Sequence, residues 1–184
     1  HWRVSMAEDA PAIGKNVSAD WRLNDGNTAY LRSLAGPEER PVSAFFRCPI
    51  EGADLSVFPG DVYTFQASFA VHRAAGKIRF HFKSASGEVI HALEADIDTV
   101  AQGGTNLANY VSRHLSAKAP EGAAALSIEI IKSVTNKDEK DSYLFFTRPA
   151  LTKSAFVGFE HLRHDLPESW TVNAFRTRKS VLCS

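Results

Sequence analysis

The chain has 184 residues, and its 21 Lys and Arg balance 21 Asp and Glu, so the formal charge is zero. That length suits one domain, with or without an extension, and can bury a core unaided by disulfides. With 44% hydrophobic and 23% charged residues the composition is that of a globular chain, and the even balance argues against a bulk electrostatic partner such as nucleic acid. No apolar run approaches the roughly 20 residues that span a bilayer, so membrane insertion is not expected.

A chain that opens on His1 is expected to be a processed or excised piece of a longer protein, whose other domains would be its neighbours. Asn16-Val17-Ser18 matches a glycosylation sequon, which matters only in a eukaryotic secreted setting. Val17 to Leu23 and Thr28 to Leu34 read as strands around the turn Asn24-Asp25-Gly26-Asn27. After the polar loop Gly36 to Pro41, a further strand is expected over Val42 to Ile50. Cys48 and Cys183 have no metal or redox spacing and read as idle thiols, with a bridge between them as the alternative.

The middle of the chain has a period of two. From Tyr63 to Val71 the odd positions are apolar, and from Lys77 to Lys83 the alternation is strict. Ala125 to Ile130 repeats it, and Val89 to Glu94 does so more loosely. One apolar and one polar face per strand is what a sheet packed on one side requires. Pro59-Gly60-Asp61, Ala75-Gly76, Ser86-Gly87, Gly103-Gly104 and Pro120-Glu121-Gly122 supply turn chemistry between these runs. Short gaps with no intervening helical stripe predict an all-β protein, an antiparallel β-sandwich or barrel. Residues 133 to 142 read as a charged hairpin tip ahead of Tyr143-Leu144-Phe145-Phe146. Beyond Lys153 the alternation stops. Residues 1–154 are therefore expected to form the β-module, and 155–184 an irregular or partly helical extension or linker.

Three stretches together resemble one family. They are Phe58-Pro59-Gly60-Asp61-Val62-Tyr63-Thr64-Phe65, the run Ala117 to Ile128 with its Ala119-Pro120-Glu121-Gly122-Ala123 turn, and the aromatic closing strand Tyr143 to Leu151. In order and separation they are similar to jelly-roll carbohydrate-binding modules of the family four/nine type, over about residues 15 to 153. The resemblance implies a jelly-roll β-sandwich and a sugar ligand. It also implies an Asp in the closing strand that helps hold a structural calcium, where this chain has Thr147. Thr lacks the carboxylate, so no metal and no other cofactor is expected. Glu94, Asp96 and Asp98 would share one strand face, and a solvated edge is the expected role for them.

No nucleophile elbow, phosphate-binding Gly-rich loop or His-Glu-x-x-His pattern occurs, and no enzymatic activity is expected. His161-Leu162-Arg163-His164-Asp165 puts two histidines on one helical face but shows no third ligand, and reads as a surface turn. A small jelly-roll hydrolase or lyase would need two facing carboxyls, and nothing marks a pair out.

Sugar recognition needs an exposed ring for the apolar face of a pyranose and polar groups for its hydroxyl rim. Trp21, Tyr30 and Tyr143 are the stacking candidates. On the Lys77 strand the core set is Ile78, Phe80 and Phe82, which leaves Arg79 and His81 outward; Gln66 and Glu129 face outward on their strands. If these strands share one concave sheet, Gln66, Arg79, His81 and Glu129 line it. The alternative for Arg79 and His81 is cross-strand pairing with Glu129 on a solvated face. The expected function is a non-catalytic carbohydrate-binding module within a larger protein. A structural module for protein contacts or homo-oligomers is the alternative. The neutral total charge fits a neutral, hydroxyl-rich ligand better than a polyanion.

Overall fold

The computed structural model describes residues 3–6, 13–15, 28–33, 42–47, 54–97, 110–134 and 142–154. Eleven strands occur among them: β1 (Arg3–Met6), β2 (Ile13–Lys15), β3 (Thr28–Ser33), β4 (Val42–Arg47), β5 (Leu55–Ser56), β6 (Val62–His72), β7 (Ala74–Lys83), β8 (Val89–Ile97), β9 (Val111–Lys118), β10 (Ala125–Val134) and β11 (Ser142–Ser154). They form two antiparallel sheets. Sheet A has the order β1-β4-β10-β7-β8, with β5 also paired to β10, and sheet B has the order β2-β3-β11-β6-β9. From β6 onward the chain passes between the sheets repeatedly, giving a jelly-roll β-sandwich. Among the described residues no helix is long and apolar enough to cross a membrane.

The period-two pattern sets the core. Ile78, Phe80 and Phe82 of β7 and Leu126, Ile128 and Ile130 of β10 are fully buried from sheet A; Tyr63, Phe65 and Phe69 of β6 and Leu144 of β11 meet them from sheet B. The sheets interlock through rings. Phe46 of β4 lies 4.9 Å from Phe65 and 5.7 Å from Phe146, centroid to centroid, in tilted and edge-on contacts. Each such ring removes enough apolar surface from water to contribute about 1.5–3 kcal/mol.

The two Pro-Gly turns singled out in the sequence sit side by side. Gly60 (φ 88°) donates its N–H to the Ala119 carbonyl at 2.9 Å, and Ala119 donates to Asp61 at 2.8 Å. Pro59 presets its φ and Gly60 takes the left-handed geometry that L side chains resist. Gly122 (φ 78°) closes the second turn, where the Ala123 N–H reaches Pro120 at 3.2 Å. The Phe58 N–H donates to the Tyr63 hydroxyl at 3.0 Å, which ties the first turn to the core.

Several boundaries differ from the sequence expectation. The hydrogen-bonded neighbour of β3 away from β11 is β2, at Ile13–Lys15; the proposed Val17 to Leu23 strand and the Asn24 turn lie outside the described residues. The Ala75-Gly76 turn is not one, because both residues lie inside β7. The chain instead turns at Arg73, a non-glycine residue at φ 52°, and there passes from sheet B to sheet A. Strand β9 has no counterpart in the sequence reading, because Arg113 puts a charge at one of its inward positions, opposite Ala67, and a strand at a sheet edge tolerates that. Trp21, Cys48, Cys183, residues 135–141 and residues 155–184 lie outside the described residues.

Gly76 faces the core between its register partners Ile97 and Lys132. A Cβ there would collide with Leu144 Cδ1 and come within 3.1 Å of Ile97 Cδ1. Leu144 is fully buried and has no room to swing aside. Gly76→Ala is expected to destabilise the fold by about 1–3 kcal/mol, read as a lower urea midpoint with unchanged slope.

Candidate functional site

Each sheet presents an outer face, and the two faces differ in chemistry. On sheet A, β10 runs between β4 and β7, and the register sets Glu129 opposite Arg79 and Ser127 opposite His81. His81 Nε2 lies 2.8 Å from Glu129 Oε2, and Arg79 Nη1 reaches the same oxygen at 3.5 Å. Arg79 also donates to Glu94 from Nε at 3.1 Å and Nη2 at 2.8 Å. Lys77 pairs with Glu94 and lies 3.7 Å from Asp96. Arg79, His81 and Glu129 therefore come together as expected, and their polar groups engage one another across the strands. Of the proposed acidic face, Glu94 and Asp96 are part of this pairing, and Asp98 lies outside the described residues.

Burial pushes the Glu129 carboxyl up, but hydrogen bonds from His81 and Ser43 and the charges of His81 and Arg79 outweigh it and hold the carboxyl below its usual range. A lowered folded-state pKa contributes stability that is present above the unfolded value, near 4.5, and is lost as pH falls through the folded one. Glu129→Gln is expected to cost about 1–2 kcal/mol at neutral pH and to flatten the acid side of the stability profile below about pH 5, measured by thermal melts across pH.

Gln66 corrects the expected grouping. It lies on β6, in sheet B, and cannot share a face with Arg79, His81 and Glu129. The reason is the Arg73 corner: β6 and β7 are consecutive, yet they belong to opposite layers. Gln66 instead shares the outer face of sheet B with Tyr30 and Tyr143.

That face is ordered in rows by the antiparallel register. Tyr143 is flanked by Arg32 on β3 and His72 on β6. One row along, Phe145 is flanked by Tyr30 and Ala70, and Tyr110 joins this cluster from the start of β9. Next comes a hydroxyl row: Thr28, Thr147, Ser68 and Ser112. Then follow Ala150, Gln66 and His114, with Gln66 and His114 exposed. A last hydroxyl pair, Thr64 and Ser116, bonds across strands at 2.7 Å.

The aromatic end is prearranged. The Tyr143 ring stacks on Phe145 (5.6 Å between centroids, 8° between planes) and meets Tyr30 edge-on at 6.0 Å. The Arg32 guanidinium carbon sits 5.8 Å from the Tyr143 centroid and the His72 ring 6.4 Å from it. Burial, and then the charge of Arg73, lower the His72 pKa, so its imidazole is neutral at neutral pH and carries one donor and one acceptor. Phe145 and Tyr110 are buried, whereas Tyr30 and Tyr143 keep part of their surface in water. Beside Thr147 the strand bulges: Arg148 and Pro149 stand against the single residue Ala67, and Arg148 takes φ 54°. A left-handed non-glycine residue costs about 1–2 kcal/mol, and Pro149 suits a bulge because it has no N–H to pair.

Tyr110, His114 and the Arg148 bulge were not singled out in the sequence. Their signals are weak, since Arg113 interrupts the apolar positions of β9 and a bulge needs the partner strand to be recognised. Thr147, where the resemblance implies an Asp, is fully buried in the hydroxyl row. No group of three or more His, Cys, Asp or Glu that could hold a metal occurs among the described residues.

No protein-family model and no curated protein sequence matches this chain. Among solved structures, it is similar to the enzymatically active domain of bacteriophage CBA120 tailspike protein 4 (12% identity, TM-score 0.54, covering 83% of this chain and 19% of that one). It is also similar to the arabinose-bound MgGH51 α-L-arabinofuranosidase (13% identity, TM-score 0.53, covering 83% and 23%). A weaker likeness reaches TmCBM61 in complex with β-1,4-galactotriose (13% identity, TM-score 0.42, covering 83% and 88%). The chain thus spans about a fifth of the length of the first two structures, and the likeness is one of fold over that matched part.

Proposed function

We propose that the outer face of sheet B is a carbohydrate-binding platform, and that residues 1–154 form a non-catalytic module targeting a larger protein to a glycan, with 155–184 as its extension. The observation that carries this reading is the register that sets Tyr143 and Tyr30, partly exposed rings, on one face with His72, Ser68, Ser112, Gln66 and His114, whose side chains keep at least part of their surface in water. A sugar needs that pairing of an apolar surface with a polar rim, and rings already held by neighbours lose little freedom on binding. Tyr30, Tyr143 and Gln66 are the recognition residues on this face. Trp21 remains a stacking candidate, while Arg79, His81 and Glu129 are assigned to holding sheet A.

A binding role, as opposed to hydrolysis, is supported by the composition of the same strands. None of β2, β3, β6, β9 and β11 contains Asp or Glu, so these strands supply no carboxyl pair for glycoside cleavage. Glycan-array screening followed by calorimetry on the full chain tests the reading. Tyr143→Ala is expected to weaken binding at least tenfold, about 1.4 kcal/mol, while Arg79→Gln on the other sheet leaves affinity unchanged. Absence of binding to both neutral and acidic glycans would overturn it.

The alternative, a protein-contact module, draws on exposed Val89 and Ile90 in β8. If that strand edge pairs copies of the chain, sedimentation will show a dimer that Ile90→Lys disperses.

A further inference from the structure

The described residues leave three large hydrophobic side chains in water: Phe58 at 62% exposure, Val89 at 46% and Ile90 at 41%. Such residues scattered singly need no explanation, but these three gather at one end of the sandwich. Segments 57–61, 119–124 and 83–90 frame that end and are bonded in series. The Val57 N–H donates to the Ala124 carbonyl at 3.0 Å, and the Ala124 N–H donates to Lys83, the register partner of Val89, at 2.8 Å. Ile90 Cδ1 lies 3.9 Å from where a Cβ on Gly122 would stand. Phe58 is held on both sides of its backbone: its N–H donates to the Tyr63 hydroxyl at 3.0 Å, and its carbonyl accepts from the Asp61 N–H at 3.2 Å. Lys153 Nζ pairs with Asp61 at 2.6 Å and sits 4.3 Å from the centroid of the Phe58 ring. A ring fixed in this way and left mostly in water adds little burial to the fold.

Strand β11 ends at the same place. Its last residues, Lys153 and Ser154, are in register with Tyr63 and Val62, so the chain leaves the sandwich beside the Phe58 turn. The residues that follow are Ala155-Phe156-Val157-Gly158-Phe159, two rings and a valine with no charge before Glu160. Five residues reach at most about 18 Å when extended, which keeps this apolar run within range of Phe58. We infer that the apolar end around Phe58 is the seat of the chain's own continuation, with Phe156 and Phe159 packing on the ring surface that Lys153 leaves open. The tether is what favours this occupant over a second copy of the chain, because a linked segment meets the surface at a high effective concentration. The contact makes residues 155–159 a fixed joint between the β-module and whatever follows. It lies off the outer face of sheet B and is independent of the carbohydrate reading.

Limited proteolysis of the full chain with chymotrypsin, read by mass spectrometry, tests it. Phe58→Ser is expected to speed cleavage after Phe156 and Phe159 at least tenfold, because it removes the seat and leaves the segment unchanged. Phe58→Leu keeps an apolar side chain on the turn and should retain most of the protection. Phe156→Ser, which leaves the described strands untouched, should likewise speed cleavage after Phe159. In a double-mutant cycle, Phe58→Ser and Phe156→Ser should each lower the urea midpoint, and the double variant should fall no further than the lower of the two. Cleavage that Phe58→Ser and Phe156→Ser leave unchanged, or strictly additive midpoints, would overturn the inference. A dimer in sedimentation that Phe58→Ser disperses would give this end to a second copy and overturn it as well. Tyr143→Ala should leave the cleavage rate unaltered, so the failure of this joint and the failure of the sugar platform are read separately.

Discussion

The interlocking of rings between the two sheets is the contact on which the rest of the protein depends. Phe46 reaches across from sheet A to Phe65 and Phe146 of sheet B, and around them every second residue of the long strands is committed to the interior. Because a strand alternates strictly, that commitment also decides which residues face outward. Function on this scaffold is therefore confined to the outer faces and the loops.

The two outer faces resolve their exposure differently. Sheet A satisfies its charges internally: Glu129 accepts from His81 and Arg79, and Arg79 continues to Glu94. Such a face stiffens strand pairing and leaves its polar groups occupied. Sheet B instead presents rings supported by other rings, with hydroxyl and amide groups beyond them. Uncharged polar groups are cheaper to desolvate than ions, which makes sheet B the better surface for a hydroxyl-rich ligand.

Much of this was legible in the residues. The alternation in β6, β7 and β10 marked Phe65, Phe80 and Ile128 as interior, and Gln66, Arg79 and Glu129 as outward. The Pro59-Gly60 and Pro120-Gly122 turns were visible because their backbone geometry demands those residue types. The pairing of Arg79 and His81 with Glu129 was one of two roles their outward positions allowed. Strand β9 was hidden because Arg113 occupies one of its inward positions, which an edge strand tolerates. The bulge at Arg148 was hidden because it exists only relative to Ala67 on the neighbouring strand.

By itself, then, the sequence determined the class of fold, the turns, and the face of each strongly alternating strand, since each of these is set within a few consecutive residues. Which sheet a strand joins is not local. Gln66 and Arg79 are only thirteen positions apart, yet the corner at Arg73 sends them to opposite sides of the sandwich. Pairing is decided by which inner faces interlock across the core, and that depends on the whole set of strands at once. The same step separates the acidic strands from the aromatic ones. An evenly charged chain becomes a protein with one ion-paired face and one face whose strands carry rings and uncharged polar groups but no carboxylate.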